Sequence, residues 1–209
     1  MRLLFDIGAN AGHYADANAA KYDKMILVEA NPQLCRALQD KYRHNPRFVV
    51  ENRIVSKDKN VPFYLCPTHT ISTAAVRWTT ESRFAATEKW YSAQEPIETA
   101  TIDELVEKFG QPTYMKIDVE GYEYNVLQSM TSKYCPLSFE WAEELIDEIY
   151  LTLDYLSGLG YQEFAVQHAD AYLYEPHNHE FQSLDRIKAQ FEENCDPEQR
   201  MLWGMVHCR

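Results

Sequence analysis

Residues 3–12 read LLFDIGANAG, an apolar run that ends in Asp6 and leads into the glycine-spaced turn Gly8-x-Asn10-x-Gly12. A buried strand that feeds a glycine-rich turn and then a helix N-terminus is how doubly wound α/β sheets hold a nucleotide-like cofactor. Glycine suits such a turn because the backbone passes close to the ligand, where a Cβ atom would clash. The segment therefore predicts a doubly wound α/β fold with a cofactor at the end of the first strand.

The spacing of this turn distinguishes between cofactors. A dinucleotide fingerprint needs G-x-G-x-x-G, but Asn10 stands where the second glycine would be. Asp6, just before the turn, would repel a pyrophosphate and suits the ammonium group of S-adenosylmethionine. Glu29 ends the next apolar run 19 residues after Asn10 (29 − 10), close to the roughly 20-residue interval at which such an acid reaches ribose hydroxyls. An ordinary βαβ unit with a chance glycine turn is the alternative.

Apolar runs and helical patterns alternate along the chain, which predicts a mostly parallel sheet with helices on both faces. Seven strands are expected, at residues 3–7, 25–29, 48–51, 114–119, 137–141, about 163–167 and 202–208. The capping box Thr101-x-x-Glu104 predicts a helix that ends at Gly110. Residues 61–66 and 72–78 are expected to pair as a hairpin.

The first and last predicted strands lie close to the two ends of the 209 residues, and no linker or repeat separates them. Chains that stand alone usually carry some poorly ordered terminal residues. We therefore expect residues 1–209 to be a single domain of a longer multidomain polypeptide, fused to domains that assemble glycans.

Composition excludes several classes of partner. A formal net charge of −12 argues against a nucleic-acid backbone or an anionic membrane, and no stretch approaches the 18 or so apolar residues of a membrane span. The five cysteines are scattered, odd in number and without a C-x-x-C pair. This pattern indicates reduced thiols and a cytoplasmic protein.

A second dense segment, residues 113–123, reads TYMKIDVEGYE. Asp118, Glu120 and Glu123 follow an apolar run within six residues, and Gly121 allows a tight turn into a helix. Ligands of open α/β sheets lie at the carboxyl ends of the strands. These acids are therefore predicted to face the reactive end of the cofactor, and a solvated polar loop is the alternative.

These segments resemble the FkbM-type family of S-adenosylmethionine-dependent O-methyltransferases, which have a Rossmann-like class I methyltransferase fold. The resemblance spans about residues 3–141 and is carried by Asp6-Ile-Gly-Ala-Asn-Ala-Gly12, Val28-Glu-Ala-Asn-Pro32, Thr101-Ile-Asp-Glu-Leu105 and Lys116-Ile-Asp-Val-Glu-Gly-Tyr-Glu123. It implies methyl transfer from S-adenosyl-L-methionine to a hydroxyl of a sugar, glycan or related small molecule. The cofactor-binding residues that it implies are Asp6, Gly8, Asn10, Gly12, Tyr14, Glu29, Ala30, Asn52 and Asp118.

Methyl transfer to a hydroxyl also calls for a base, which contributes about 10²–10⁴-fold. Asp118 is the first candidate for a polar role at the reaction centre, and Glu120 and Glu140 follow. A divalent metal is the alternative, since Asp118 and Glu140 end strands that are neighbours in the usual order and carboxylate oxygens suit Mg²⁺. Because no third ligand is evident, no metal ligand is assigned and Mg²⁺ is the less favoured reading.

Two other functions stay open at this point. The first is a nucleotide-binding oxidoreductase, against which the missing G-x-G-x-x-G argues. The second is a non-catalytic module with a cofactor fold, against which the intact acids at Asp6, Glu29 and Asp118 argue.

The acceptor pocket is expected to come from residues 67–94 and 167–181, whose sequence carries no readable code. The second segment contains a group that invites a zinc-site reading: Glu175, His177, His179 and Glu180. Pro176 within that group favours a polar surface loop instead.

Overall fold

Seven of the apolar runs form one sheet in the computed structural model, which describes residues 1–169, 180–196 and 201–209. The strands of the described chain are β1 (Leu3–Ile7), β2 (Lys24–Val28), β3 (Phe48–Glu51), β4 (Ile54–Val55), β5 (Tyr64–Leu65), β6 (Tyr91–Ser92), β7 (Thr99–Ala100), β8 (Tyr114–Ile117), β9 (Leu137–Ala142), β10 (Phe164–His168) and β11 (Trp203–Cys208). The sheet order is β10-β11-β9-β8-β1-β2-β3. Strand β11 runs antiparallel to both of its neighbours, and the other pairs are parallel. This topology confirms the predicted doubly wound, mostly parallel sheet.

Helices cover both faces of the sheet. They are α1 (His13–Asn18), α2 (Pro32–Tyr42), α3 (Val76–Glu81), α4 (Ile102–Phe109), α5 (Glu123–Leu127), α6 (Ile146–Gly158) and α7 (Leu184–Asn194). Successive side chains of a strand point to opposite faces, so Phe5 and Ile7 of β1 join the larger apolar core, while Leu4 joins the smaller one with Leu38 of α2. The larger core also holds Leu153 of α6.

The predicted helix starts are formed. The Thr101 hydroxyl accepts a hydrogen bond from the Glu104 amide at 3.0 Å, and the Glu104 carboxylate accepts one from the Thr101 amide at 2.7 Å. Helix α4 then ends at Gly110 as predicted, and Asn31 caps α2 by accepting from the amide of Gln33 at 2.9 Å.

The predicted hairpin of residues 61–66 and 72–78 is wrong. Strand β5 pairs instead with β6, and a single bridge joins Tyr64 to Thr73. Residues 76–81 form helix α3, in which Arg77 and Glu81 lie one turn apart and form an ion pair at 3.0 Å. A local helix of this kind satisfies its own backbone and needs no partner strand.

None of the helices in the described ranges has the length and hydropathy needed to cross a membrane. All five cysteines fall within the described residues and are free thiols. The cytoplasmic location stays a prediction.

Candidate active site

The carboxyl ends of β1, β2 and β8 meet at a cavity of about 450 Å³, a size typical of small-molecule sites. Six of the residues predicted to bind the cofactor line it: Gly8, Asn10, Tyr14, Glu29, Ala30 and Asp118. Three others, Asp6, Gly12 and Asn52, lie outside its lining. The site is therefore at the predicted edge of the sheet, and three of the predicted cofactor-binding residues lie outside the cavity lining.

The glycine turn is shaped by the protein as much as by any ligand. Gly8 has a φ of 79°, and a Cβ atom there would overlap the carbonyl oxygen of Asp118. Gly12 also has a φ of 79°, and a Cβ atom there would lie 2.7 Å from the hydroxyl of Tyr42. Glycine is thus required at both positions because neighbouring parts of the chain come close, and Gly12 supports the start of α1 without reaching the cavity.

Glu29 is held at the cavity wall by backbone amides. Its two carboxylate oxygens accept hydrogen bonds from the amides of Asn10 and Asn31, each at 2.7 Å. Burial raises the pKa of Glu29 to about 7. Asn52 lies behind it and donates to the carbonyl oxygens of Glu29 and Ala30 at 2.8 and 3.0 Å. Asn52 therefore fixes the loop that presents Glu29.

Lys116 is the residue that sequence reasoning missed, although it stands in the motif. Its ammonium nitrogen lies 3.0 Å from a carboxylate oxygen of Asp118 and 3.6 Å from one of Asp6, and it donates to the carbonyl oxygen of Gly8 at 3.1 Å. Asp6 is fully buried and pairs with this lysine, and its contact with the ammonium group of a cofactor stays a prediction. The available signal was a lysine inside an otherwise apolar strand.

Three carboxylates gather at the ends of β8 and β9. Asp118, Glu120 and Glu140 each bring a carboxylate oxygen within 4.8 Å of the others. Glu120 is therefore the third possible metal ligand, which the sequence alone did not reveal. Loss of solvation and repulsion between the neighbouring carboxylates raise the pKa values of Glu120 and Glu140 well above the usual range for glutamate. Oxygen atoms at this spacing could act together as ligands of a divalent cation.

The position of Glu120 is set by its backbone. Its φ of 58° is unusual for a residue with a side chain, and its carbonyl oxygen accepts a hydrogen bond from the Thr73 hydroxyl at 2.7 Å. Glu123, one turn on, accepts from the amide of Val119 at 2.8 Å, and burial raises its pKa to about 8. Glu120 faces the cavity, whereas Glu140 lies behind it.

Residues 6–163 match the family model of the methyltransferase FkbM domain. The chain belongs to this family. No curated protein matches the FkbM chain in sequence.

Several solved structures are similar to it at low identity. They include the precorrin-6y C5,15-methyltransferase of Geobacter metallireducens (10% identity, 100% of this chain and 79% of that one, TM-score 0.47), a SAM-dependent methyltransferase of Aquifex aeolicus (9%, 99% and 81%, 0.43) and a SAM-dependent O-methyltransferase of Thermotoga maritima (9%, 99% and 58%, 0.45). The family assignment rests on the sequence match and not on these likenesses.

The far side of the FkbM cavity is built by the segment predicted to bind the acceptor. Residues 67–94 supply eight lining residues: His69, Thr70, Ile71, Ser72, Ala74, Trp78, Arg83 and Phe84. Trp203, at the start of β11, also lines the cavity and had no sequence signal. Within the second predicted segment, 167–181, residues 170–179 lie outside the described chain, and so do Glu175, His177 and His179.

Replacing Lys116 should destabilise the protein strongly. In Lys116→Met the fully buried Asp6 loses an ion pair, and breaking a buried ion pair costs roughly 3–5 kcal/mol of unfolding free energy. Lys108→Met is the matched control because Lys108 pairs with Glu51 at the surface, where such a loss costs about 1 kcal/mol or less. Urea denaturation measures both, and equal small losses would contradict a structural role for Lys116.

The free energy of unfolding should fall as the pH rises from about 5 to 8. The raised pKa values of Glu29 and Glu123 mean that the folded protein keeps protons that the unfolded chain releases above its ordinary glutamate pKa of 4.5. Each proton of this kind contributes a slope of up to about 1.4 kcal/mol per pH unit. Acids whose pKa is lowered, such as Asp16, act at lower pH and leave this window unaffected.

Glu123→Gln tests this dependence. The amide oxygen can still accept from Val119, but the titrating group is gone, so the variant should lose stability less steeply between pH 5 and 8 and should exceed the parent protein at pH 8. Urea denaturation across this range gives the slopes, with Glu107→Gln as the surface control. An unchanged slope in Glu123→Gln would show that this carboxyl titrates normally.

Proposed function

We propose that this FkbM domain is an S-adenosyl-L-methionine-dependent O-methyltransferase that methylates a hydroxyl of a sugar, glycan or related small molecule. The observation that carries the proposal is one cavity lined by two different sets of residues. We assign the Gly8 turn and Glu29 to a cofactor end, and Glu120 with the aromatic residues of the 67–94 segment to an acceptor end. Such a cavity accommodates a cofactor and an acceptor side by side.

The residues at the first end fit the cofactor. Each carboxylate oxygen of Glu29 accepts one amide hydrogen bond and keeps a further lone pair, which is available to ribose hydroxyls. Ile54 and Val55 add an apolar wall suited to the adenine ring of the cofactor. When bound, S-adenosyl-L-methionine supplies a methyl group that is activated on a sulfonium.

Glu120 is the group that we assign as base. The charge of Asp118 is compensated by Lys116 at 3.0 Å, whereas no described residue donates a hydrogen bond to the Glu120 carboxylate. Its raised pKa makes it a stronger base than an ordinary glutamate. As the acceptor oxygen gains the methyl group, its proton would pass to Glu120, and S-adenosylhomocysteine would leave with the electron pair of the broken S–CH₃ bond.

Binding of S-adenosylhomocysteine tests the cofactor assignment directly. Calorimetric titration should give micromolar affinity for S-adenosylhomocysteine and none for NAD, which serves as the control ligand for the oxidoreductase alternative. Glu29→Gln should weaken the first by about tenfold or more, since an acceptor is replaced by an amide at a buried hydrogen-bonding position. Binding of NAD, or of neither ligand, would contradict the proposal.

Glu120→Gln should separate binding from turnover. We expect kcat to fall by about 10²–10⁴-fold, while the affinity for S-adenosylhomocysteine stays within about twofold of the parent value. Glu95→Gln is the surface control, because Glu95 is exposed and directly follows the 67–94 segment. If EDTA abolished activity and Mg²⁺ restored it, the three carboxylates would be metal ligands and the assignment of Glu120 as base would fail.

A further inference from the structure

The charges around the cavity carry an inference about the acceptor, which rests on the proposed function. We infer that the acceptor end selects against anions and takes hydroxyl compounds that are uncharged or cationic. Uronates and phosphorylated sugars are thereby excluded as good acceptors.

Arg83 lines the cavity beside Phe84, and its charge is compensated by Glu144. Its Nε and Nη2 donate to the two carboxylate oxygens of Glu144, each at 2.7 Å. Its Nη1 donates to the carbonyl oxygen of Met201 at 2.7 Å and Nη2 donates also to that of Leu202 at 3.1 Å. Four of the five N–H donors of a guanidinium are thus directed at the protein.

The other lysine and arginine side chains of the lining, Lys116 and Arg53, are compensated as well. Lys116 lies between Asp6 and Asp118, as described above. Arg53 forms ion pairs with Glu98 and, at 3.8 Å, with Glu51. No lysine or arginine of the described lining is therefore left to pair with an anionic acceptor.

The acidic side chains are not balanced in the same way. Glu120 lines the cavity, and its carboxylate receives no hydrogen bond from any residue in the described ranges; a carboxylate oxygen of Glu140 lies within 4.8 Å of it. A carboxylate or phosphate on the acceptor would lie beside these two acids and would find no lysine or arginine of the described lining to pair with. A charge that is withdrawn from water without a partner lowers binding by on the order of 100-fold.

The rest of this end is uncharged and aromatic. Trp78 is buried and meets Phe84 edge to face with ring centroids 6.0 Å apart, and Trp203 is partly exposed beside the cavity. Rings of this kind contact the C–H faces of a sugar or another apolar surface. The lining thus favours a neutral ring with hydroxyl groups.

Matched acceptors test the inference. Methyl glycosides of the gluco, galacto and manno series are each assayed as the neutral sugar, the 2-amino sugar and the uronate, at pH 8 so that ordinary histidine side chains are neutral. In at least one series the neutral or amino compound should have a kcat/KM on the order of 100-fold above that of the uronate. A uronate used equally well, or no turnover of any neutral or amino compound, overturns the inference.

A charge added to the lining tests the cause. Thr70 is exposed and lines the cavity, so Thr70→Lys places an uncompensated cation there, while Thr70→Met adds similar length without charge. The lysine variant should raise kcat/KM for the uronate by about tenfold or more, and the methionine variant should not. Equal behaviour of the two variants would contradict an electrostatic origin of the selectivity.

Titration with S-adenosylhomocysteine separates this inference from the proposed function. The parent protein and both Thr70 variants should bind it with equal affinity. Loss of binding in the parent protein would refute the methyltransferase proposal itself. Normal binding together with a preference for uronates would refute the charge selectivity alone.

Discussion

The ion pairs of Lys116 are the interaction on which the site depends. The register of β1 and β8 sets Asp6 opposite Lys116 in the sheet, so one buried ammonium group compensates a fully buried carboxylate and also reaches Asp118 at the strand end. Its third contact, with the carbonyl oxygen of Gly8, fixes the turn that begins the cavity. The floor of the site is therefore held by charge, because an apolar residue in place of Lys116 would remove an ion pair from a fully buried carboxylate.

The neighbouring buried carboxylates have no such cation, and their pKa values change instead. Glu120, Glu140 and Glu123 are withdrawn from water without a lysine or arginine hydrogen-bonded to them in the described chain, so their pKa values rise. Such an arrangement destabilises the fold near neutral pH and suits groups that must take up a proton. The contrast with Asp118 explains why adjacent acids of one motif have different roles in the proposed mechanism.

The sequence predicted whatever depends on local pattern and strand polarity. The seven strands, the glycine turn and the capping box at Thr101 follow from such patterns, and the acids of β2 and β8 meet because parallel strands end at the same edge. The buried pairing of Asp6, the approach of Glu120 to Glu140 and the place of Trp203 depend on contacts across strands. One sequence does not fix such contacts, since they follow from register and from loop conformation.

The two halves of the cavity are joined by consecutive glutamates at the end of β9. Glu144 holds Arg83 at 2.7 Å, and Glu143 accepts from the amide of Leu202 at 3.0 Å. Both carboxylates are buried, so they tie two segments of the cavity lining that are distant in sequence, at Arg83 and next to Trp203, to the sheet. Under the proposed function, the carboxylate that neutralises Arg83 also removes the cation that an anionic acceptor would need. The contact that assembles this part of the lining would then also select the acceptor.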